Sequence, residues 1–211
     1  GVNKLVVVTP SQWLANLVKE SFLQNYETRV INNGIDLTLF KPTNGDFRAR
    51  YNLENKIIVL GVASAWGVRK GLLDFIELRK LLDRRYEIVL VGVSEEDKNI
   101  LTEGMLGITR TDSAKELAEI YTASDIFVNL TYEDNYPTVN LEAQACGTPV
   151  LTYRTGGSVE SVPEEQIAEQ GNLQDIAELI EKYEGKRASV QSFYDKNIAF
   201  EKYIELYEEI W

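Results

Sequence analysis

Two carboxylates, Asp134 and Glu142, flank a loop that opens a helix in the stretch Tyr132-Glu-Asp-Asn-Tyr-Pro-Thr-Val-Asn-Leu-Glu142. Pro137 suits a first helical position and Gly147 a helix end, so the spacing predicts a helix over about 137–146. The first turn of such a helix leaves backbone N–H groups without intrahelical partners, here those of Thr138 and Val139. With the helix dipole behind them they make a seat for an anion such as a phosphate. A second chemical cluster lies in Gly61-Val-Ala-Ser-Ala-Trp-Gly-Val-Arg-Lys-Gly71, where small residues let backbone approach a ligand and Arg69 and Lys70 bring positive charge to a helix start. Arginine offers phosphate oxygens a bidentate fork, and lysine a compact charge. The plainer readings are a carboxylate near a positively polarised helix end for Glu142, and a solvated pair closing a loop for Arg69 and Lys70.

What the chain lacks narrows the chemistry further. It has no histidine, which removes Ser-His-Asp and Cys-His relays and the commonest transition-metal ligand. No Asp-rich calcium loop and no zinc-type cluster is present, so the expected site is metal-free and without a cofactor. The single cysteine, Cys146, sits between Ala145 and Gly147 where a small buried residue is wanted, and reads as packing. The net charge of −11 argues against nucleic-acid or anionic-membrane binding over a broad surface, so any phosphate site must be local. No run approaches a membrane span and the first residues lack the order of a signal peptide, which reads as cytoplasmic.

These residues need elements to hold them. With 211 residues, 44% of them hydrophobic, the chain can bury a substantial core. Short β-branched runs at 5–8, 57–61, 87–91, 126–130 and 150–152 alternate with helical patterns, which predicts an α/β fold: a Rossmann-like parallel sheet with helices on both faces. A helix over 71–82 carries Leu72, Phe75, Ile76, Leu78, Leu81 and Leu82, and Ser113-Ala-Lys-Glu116 reads as a capping box before another. Further helices are expected over about 172–183 and 186–209. In such a sheet ligands bind at the carboxyl ends of the strands, which is where both chemical clusters fall.

Asp134 and Glu142, followed by Ala-Gln-Ala-Cys-Gly-Thr-Pro-Val150, resemble the E-x(7)-E signature of retaining family-four glycosyltransferases, with aspartate in the first place. The resemblance implies that Glu142 holds the ribose hydroxyls of a nucleotide, and that Asp134 with Asn135, Tyr136, Pro137, Thr138 and Val139 lies beside the donor sugar. The glycine-rich loop is similar to the family's Gly-x-x-x-x-x-Lys-Gly loop, which implies a diphosphate role for Lys70. The family's arginine normally lies five residues earlier, at Ala65 here, so a part for Arg69 is open. Gly61 at the loop's start, and Ile108 and Arg110 in Gly107-Ile-Thr-Arg110, resemble pocket-wall and base-contacting positions. Thr155-Gly-Gly-Ser-Val-Glu160 resembles the far wall, although a Gly-Gly turn is more often plain turn chemistry.

Thr9-Pro-Ser-Gln-Trp-Leu-Ala, Val30-Ile-Asn-Asn-Gly-Ile-Asp36 and Phe40-Lys-Pro42 resemble the end of that family's first domain and the crossover into its second. Residues 1–33 are therefore expected to be a remnant of the first domain, and 34–211 the donor-binding half of a two-domain GT-B enzyme with a closing helix. The implied donor is a UDP- or GDP-linked sugar. The implied acceptor, a glycan or lipid-linked sugar, would be held by the missing first domain, in the cytoplasm or at the cytoplasmic face of the membrane. Trp13, Leu14, Leu17 and Val18, with Phe193, Tyr194, Phe200, Tyr203, Leu206, Tyr207 and Trp211, would form surface that self-association could cover. The alternative is a nucleotide or sugar-phosphate binding module without catalysis. A dehydrogenase is weaker, because no Gly-x-Gly-x-x-Gly follows an early strand.

Overall fold

The computed structural model describes residues 5–189 and 191–211. The chain opens with β1 (Val6–Thr9), α1 (Gln12–Lys19) and β2 (Glu27–Val30), and the two strands pair in parallel as a small sheet of their own. There follow α2 (Phe47–Arg50), β3 (Ile57–Val62), α3 (Leu72–Leu81), β4 (Tyr86–Val91), α4 (Glu95–Lys98), β5 (Met105–Ile108), α5 (Ala114–Ala123) and β6 (Ile126–Asn129). The last elements are α6 (Thr138–Ala145), β7 (Val150–Tyr153), β8 (Ile167–Ala168), α7 (Leu173–Tyr183) and α8 (Lys196–Ile210). Strands β3 to β8 form one parallel sheet in the order β5-β4-β3-β6-β7-β8, the doubly wound Rossmann order.

Strands buried on both faces explain the near-continuous apolar runs. Along β3, Ile58 and Leu60 face one core while Val59 faces the other. The same alternation sends Ile88 and Leu90 of β4 to the Val59 side and Val89 and Val91 to the opposite one. Helices α3 and α7 cover the first face through Phe75, Leu78, Ile176 and Ile180. Helices α5 and α6, with Phe47 of α2, cover the second through Ala118, Tyr121, Ala143 and Cys146. Cys146 is buried, and burial pushes its thiol up to about 12, as befits a packing residue.

Two expectations are corrected. The last helix begins at Lys196, not near 186. The preceding segment is claimed by long-range bonds: Ala188 N–H donates to the Gly147 carbonyl and Arg187 reaches the Thr122 and Ser124 carbonyls, while Asp195 caps α8 by accepting from Asn197 N–H. The box at Ser113 is half made. Ser113 accepts from Glu116 N–H, but the Glu116 carboxylate turns to Asp112 N–H, and the reciprocal pair forms instead at Ser94 and Asp97. Of the residues near the end of the chain expected at the surface, Phe193, Phe200, Tyr207 and Trp211 are exposed, whereas Tyr194 and Leu206 are buried.

The small sheet is tied to the large one at the start of α1. Ser11 caps that helix by accepting from Leu14 N–H, and the Glu160 carboxylate accepts from Gln12 N–H at 2.9 Å and Trp13 N–H at 2.7 Å. A carboxylate on first-turn amides satisfies orphan donors and opposes the positive helix end. At the other end Arg29 of β2 pairs with Glu209 of α8 at 3.0 Å. Glu160→Ala is therefore expected to cost about 1 kcal/mol, as loss of a helix cap does, with faster hydrogen exchange confined to the start of α1. Mass-resolved exchange of the 9–19 segment checks this.

Candidate functional site

In the order β5-β4-β3-β6-β7-β8 the direction of winding reverses between β3 and β6. The chain leaving β3 goes to α3 on one face, and the chain leaving β6 goes to α6 on the other, so a crevice opens between their first loops. Both predicted chemical clusters sit on those two loops. Gly71 makes their approach possible: it has φ of 71°, and a Cβ there would lie 2.3 Å from the Leu130 carbonyl oxygen. Tyr132 N–H donates to the Arg69 carbonyl at 2.8 Å, and the Thr131 hydroxyl donates to the carbonyls of Arg69 and Glu133.

The charged groups meet across this seam. Lys70 Nζ lies 2.6 Å from Asp134 Oδ2, with the two side chains 21% and 17% exposed. Arg69 is exposed, and its guanidinium donates to the Glu133 carbonyl at 3.3 Å. Beyond the acidic loop, α6 starts with Pro137 in the cap position; Asn140 N–H reaches back to the Pro137 carbonyl, and the N–H groups of Thr138 and Val139 meet no acceptor among the described residues. The helix start thus offers two free donors at the crevice. Asn135 is exposed, whereas Tyr136 is buried against Ile35, Leu141 and Tyr194, and burial pushes its hydroxyl up to about 12.

Glu142 lies one turn into α6 and turns toward α5, where it accepts from the Tyr121 hydroxyl at 3.0 Å. Burial raises its pKa, and hydrogen bonds from Tyr121 and Thr138 pull it partly back. The Tyr121 hydroxyl, fully buried and next to this carboxylate, is raised well above its usual range. Lys70 and Asp134 thus meet at the crevice, with Arg69 at its edge, and the acidic loop runs on from there through Asn135 to Thr138 and Val139 in the first turn of α6. Gly61 is inside β3, and the space of its missing side chain is taken by Phe75, Leu90 and Trp66. Ile108 ends β5, two strands away from β3, with its carbonyl accepting from Gly92 and Val93 N–H groups, and Arg110 follows it as an exposed side chain.

The turn at Gly156-Gly157 is more than turn chemistry. A Cβ at Gly156 would come 2.2 Å from the Asp134 carbonyl oxygen, and one at Gly157 would come 1.7 Å from that of Asn135. Gly157 N–H donates to the Asp134 carbonyl at 3.0 Å, so the acidic loop rests on bare backbone. Sequence reasoning also missed what holds this turn to α6. Asn140, wholly buried, accepts from Asn129 and donates to Ser158 and Ser161, while Gln144 donates to the Asn140 and Ser161 carbonyls. Every buried side-chain polar atom among the described residues is satisfied. A polar pair four residues apart on an otherwise apolar helix face was the available signal. Among the described residues no group of acidic, histidine or cysteine side chains is placed to hold a metal ion, and no helix is long and apolar enough to cross a membrane.

A groove of about 450 Å³ lined by Glu165, Tyr183, Arg187 and Phe193 lies outside the crevice. It contains neither the Lys70–Asp134 pair nor the first turn of α6, and the Arg187 guanidinium is committed to backbone carbonyls. The crevice is the better candidate, because it lies at the reversal of winding and holds the Lys70–Asp134 pair.

Residues 44–199 match the family described as Glycosyl transferases group 1. Among curated proteins, the chain is 28% identical over 200 residues to the N,N'-diacetylbacillosaminyl-diphospho-undecaprenol alpha-1,3-N-acetylgalactosaminyltransferase of Campylobacter jejuni, covering 84% of this chain and 53% of that protein. It is 31% identical to the sulfoquinovosyl transferase SQD2 of Arabidopsis thaliana over 70% of this chain and 30% of that one. The chain thus spans about half or less of the length of these relatives. Its fold superposes on sucrose-phosphate synthase from Thermosynechococcus elongatus with a TM-score of 0.85 at 22% identity, over 97% of this chain and 58% of that one. It also superposes on Anabaena HepE, solved with UDP-glucose, with a TM-score of 0.82 at 20% identity, over 97% and 64%.

The raised Glu142 pKa has a stability consequence. Because the folded state prefers the protonated form, the contribution of Glu142 is fully present below the ordinary carboxylate range and is lost as pH rises through its folded pKa. Glu142→Gln is expected to raise the melting temperature near neutral pH, with the gain vanishing in acid below the ordinary carboxylate range. Thermal melts of both proteins across that pH range check the sign.

Proposed function

This chain belongs to the glycosyl transferases of group 1, and we propose that it is the donor-binding half of a two-domain enzyme that moves a sugar from a nucleoside diphosphate to an acceptor with retention. The observation that supports the reading is the Lys70–Asp134 pair at the crevice between β3 and β6, on an acidic loop that leads directly into the first turn of α6. As the sugar leaves, the diphosphate gains negative charge and the anomeric carbon becomes oxocarbenium-like. Fixed cations and a helix N-terminus stabilise that state without reorganising. Lys70 and Arg69 supply the cations, α6 supplies the amides, and Asp134 with the loop through Val139 faces the sugar.

In the same reading Glu142 takes the ribose hydroxyls, its side chain held in place by the Tyr121 hydroxyl, and Ile108 and Arg110 line the nucleobase end. A UDP- or GDP-linked donor fits these assignments, and a fold neighbour solved with UDP-glucose supports the first of them. Residues 1–33 belong to the other domain, and 34–211 to this one. Acceptor positioning falls to that other domain: holding two reactants together is worth ~7–11 kcal/mol of barrier, and the acceptor, a glycan or lipid-linked sugar, would approach from the side of α1. The exposed aromatic residues of α8 are surface for that domain or for a second copy.

Lys70→Ala is expected to weaken binding of the preferred nucleoside diphosphate by about 1.5–3 kcal/mol, the range for a charged hydrogen bond. Calorimetric titration with UDP and GDP measures it; unchanged affinity would remove Lys70 from the site.

A further inference from the structure

The two residues assigned to different parts of a donor are bonded to each other. Lys70 Nζ and Asp134 Oδ2 stand 2.6 Å apart, and both side chains are largely covered, so the pair is shielded from the solvent that weakens exposed ion pairs. Neither backbone can retreat. Lys70 is followed by Gly71, packed on the Leu130 carbonyl, and Asp134 lies on Gly156 and Gly157. Arg69 differs: it is exposed, its guanidinium touches a backbone carbonyl, and among the described residues it makes no ion pair. The crevice therefore carries one ammonium already neutralised and one guanidinium with its charge uncompensated by a carboxylate.

An anion that takes Lys70 must displace Asp134. Resting on the reading of Lys70 as a diphosphate ligand, we propose that Asp134 competes with the diphosphate for Lys70, and that this exchange lets the site favour a nucleotide sugar over the nucleoside diphosphate left after transfer. Arg69 meets the phosphates first. Lys70 then exchanges its carboxylate for a phosphate oxygen, and Asp134, with only two side-chain torsions and a fixed backbone, swings within the crevice. A donor offers sugar hydroxyls to the released carboxylate. A bare diphosphate offers it nothing but like charge, so the exchange costs the diphosphate more than the donor and the product is held less tightly. The discrimination comes from a built-in repulsion as much as from an attraction.

The test is calorimetric titration of the wild-type chain, Asp134→Asn and Glu133→Gln with inorganic pyrophosphate, UDP and GDP, and with UDP-glucose and GDP-glucose as sugar-bearing forms. Glu133 is the control, because its side chain is exposed and makes no ion pair among the described residues. Asp134→Asn is expected to bind pyrophosphate and the better diphosphate roughly three- to tenfold tighter, the factor set by removing a competing ion pair. It should also lose preference for the sugar-bearing form, while Glu133→Gln stays near wild type. Thermal melts confirm that Asp134→Asn is folded, and Asp134→Ala repeats the measurement without a side-chain amide. Unchanged or weaker diphosphate binding in both Asp134 variants, or equal gains in Glu133→Gln, would overturn the exchange while leaving the donor site intact. A wild-type chain that binds none of the five probes would overturn the donor-site reading itself, and the exchange with it.

Discussion

The reversal of winding between β3 and β6 is the constraint on which the rest depends. Two neighbouring parallel strands send their chains to opposite faces of the sheet, and there their two loops face each other across the crevice. The glycine-rich loop arrives with Arg69 and Lys70, and the acidic loop arrives with Asp134 and the first turn of α6. Everything else in the domain, from the two apolar cores to the alternation along β3 and β4, serves to fix those strands edge to edge. Burying both faces of the sheet leaves the strand ends as the place where polar groups can collect.

Backbone contact then sets the fine geometry. Gly71 lies against the Leu130 carbonyl, and Gly156 and Gly157 lie against the Asp134 and Asn135 carbonyls, so the acidic loop is clamped from two sides by residues without side chains. Beneath it, Asn140 and Gln144 fasten α6 to the turn at Ser158 and Ser161. That turn in turn holds α1 through Glu160. A continuous set of hydrogen bonds thus runs from the small sheet to the loop bearing Asp134. Such a network holds a site rigid because each member left unpaired in a low-dielectric interior would be costly.

Much of this was legible in the sequence, for identifiable reasons. The β-branched runs at 57–61 and 150–152 named their strands to within a residue because strands buried on both faces are mostly apolar and β-branched. Pro137 and Gly147 bracketed α6 because each has a conformational reason to sit at a helix end, Gly147 with φ of 88°. The start of α8 was misjudged because the segment before it is held by bonds to residues far away in the chain, which no local pattern carries. The pairing of Lys70 with Asp134, 64 residues apart, was beyond reach for the same reason. So was the service of Gly156 and Gly157 to a loop some twenty residues earlier. Glu160 read as the end of a far-wall or turn segment, and its two long-range bonds to α1 left no trace in its neighbours.

The central claim is that a nucleoside diphosphate is seated between the β3 and β6 loops. Amide chemical-shift mapping of the isotope-labelled chain during titration with UDP and GDP tests it most directly. The account expects perturbations centred on Arg69, Lys70, Gly71, Asn135, Thr138 and Val139, with Glu142 following and the far groove near Tyr183 and Arg187 silent. Perturbations confined to that groove, or to the exposed face of α8, would contradict it.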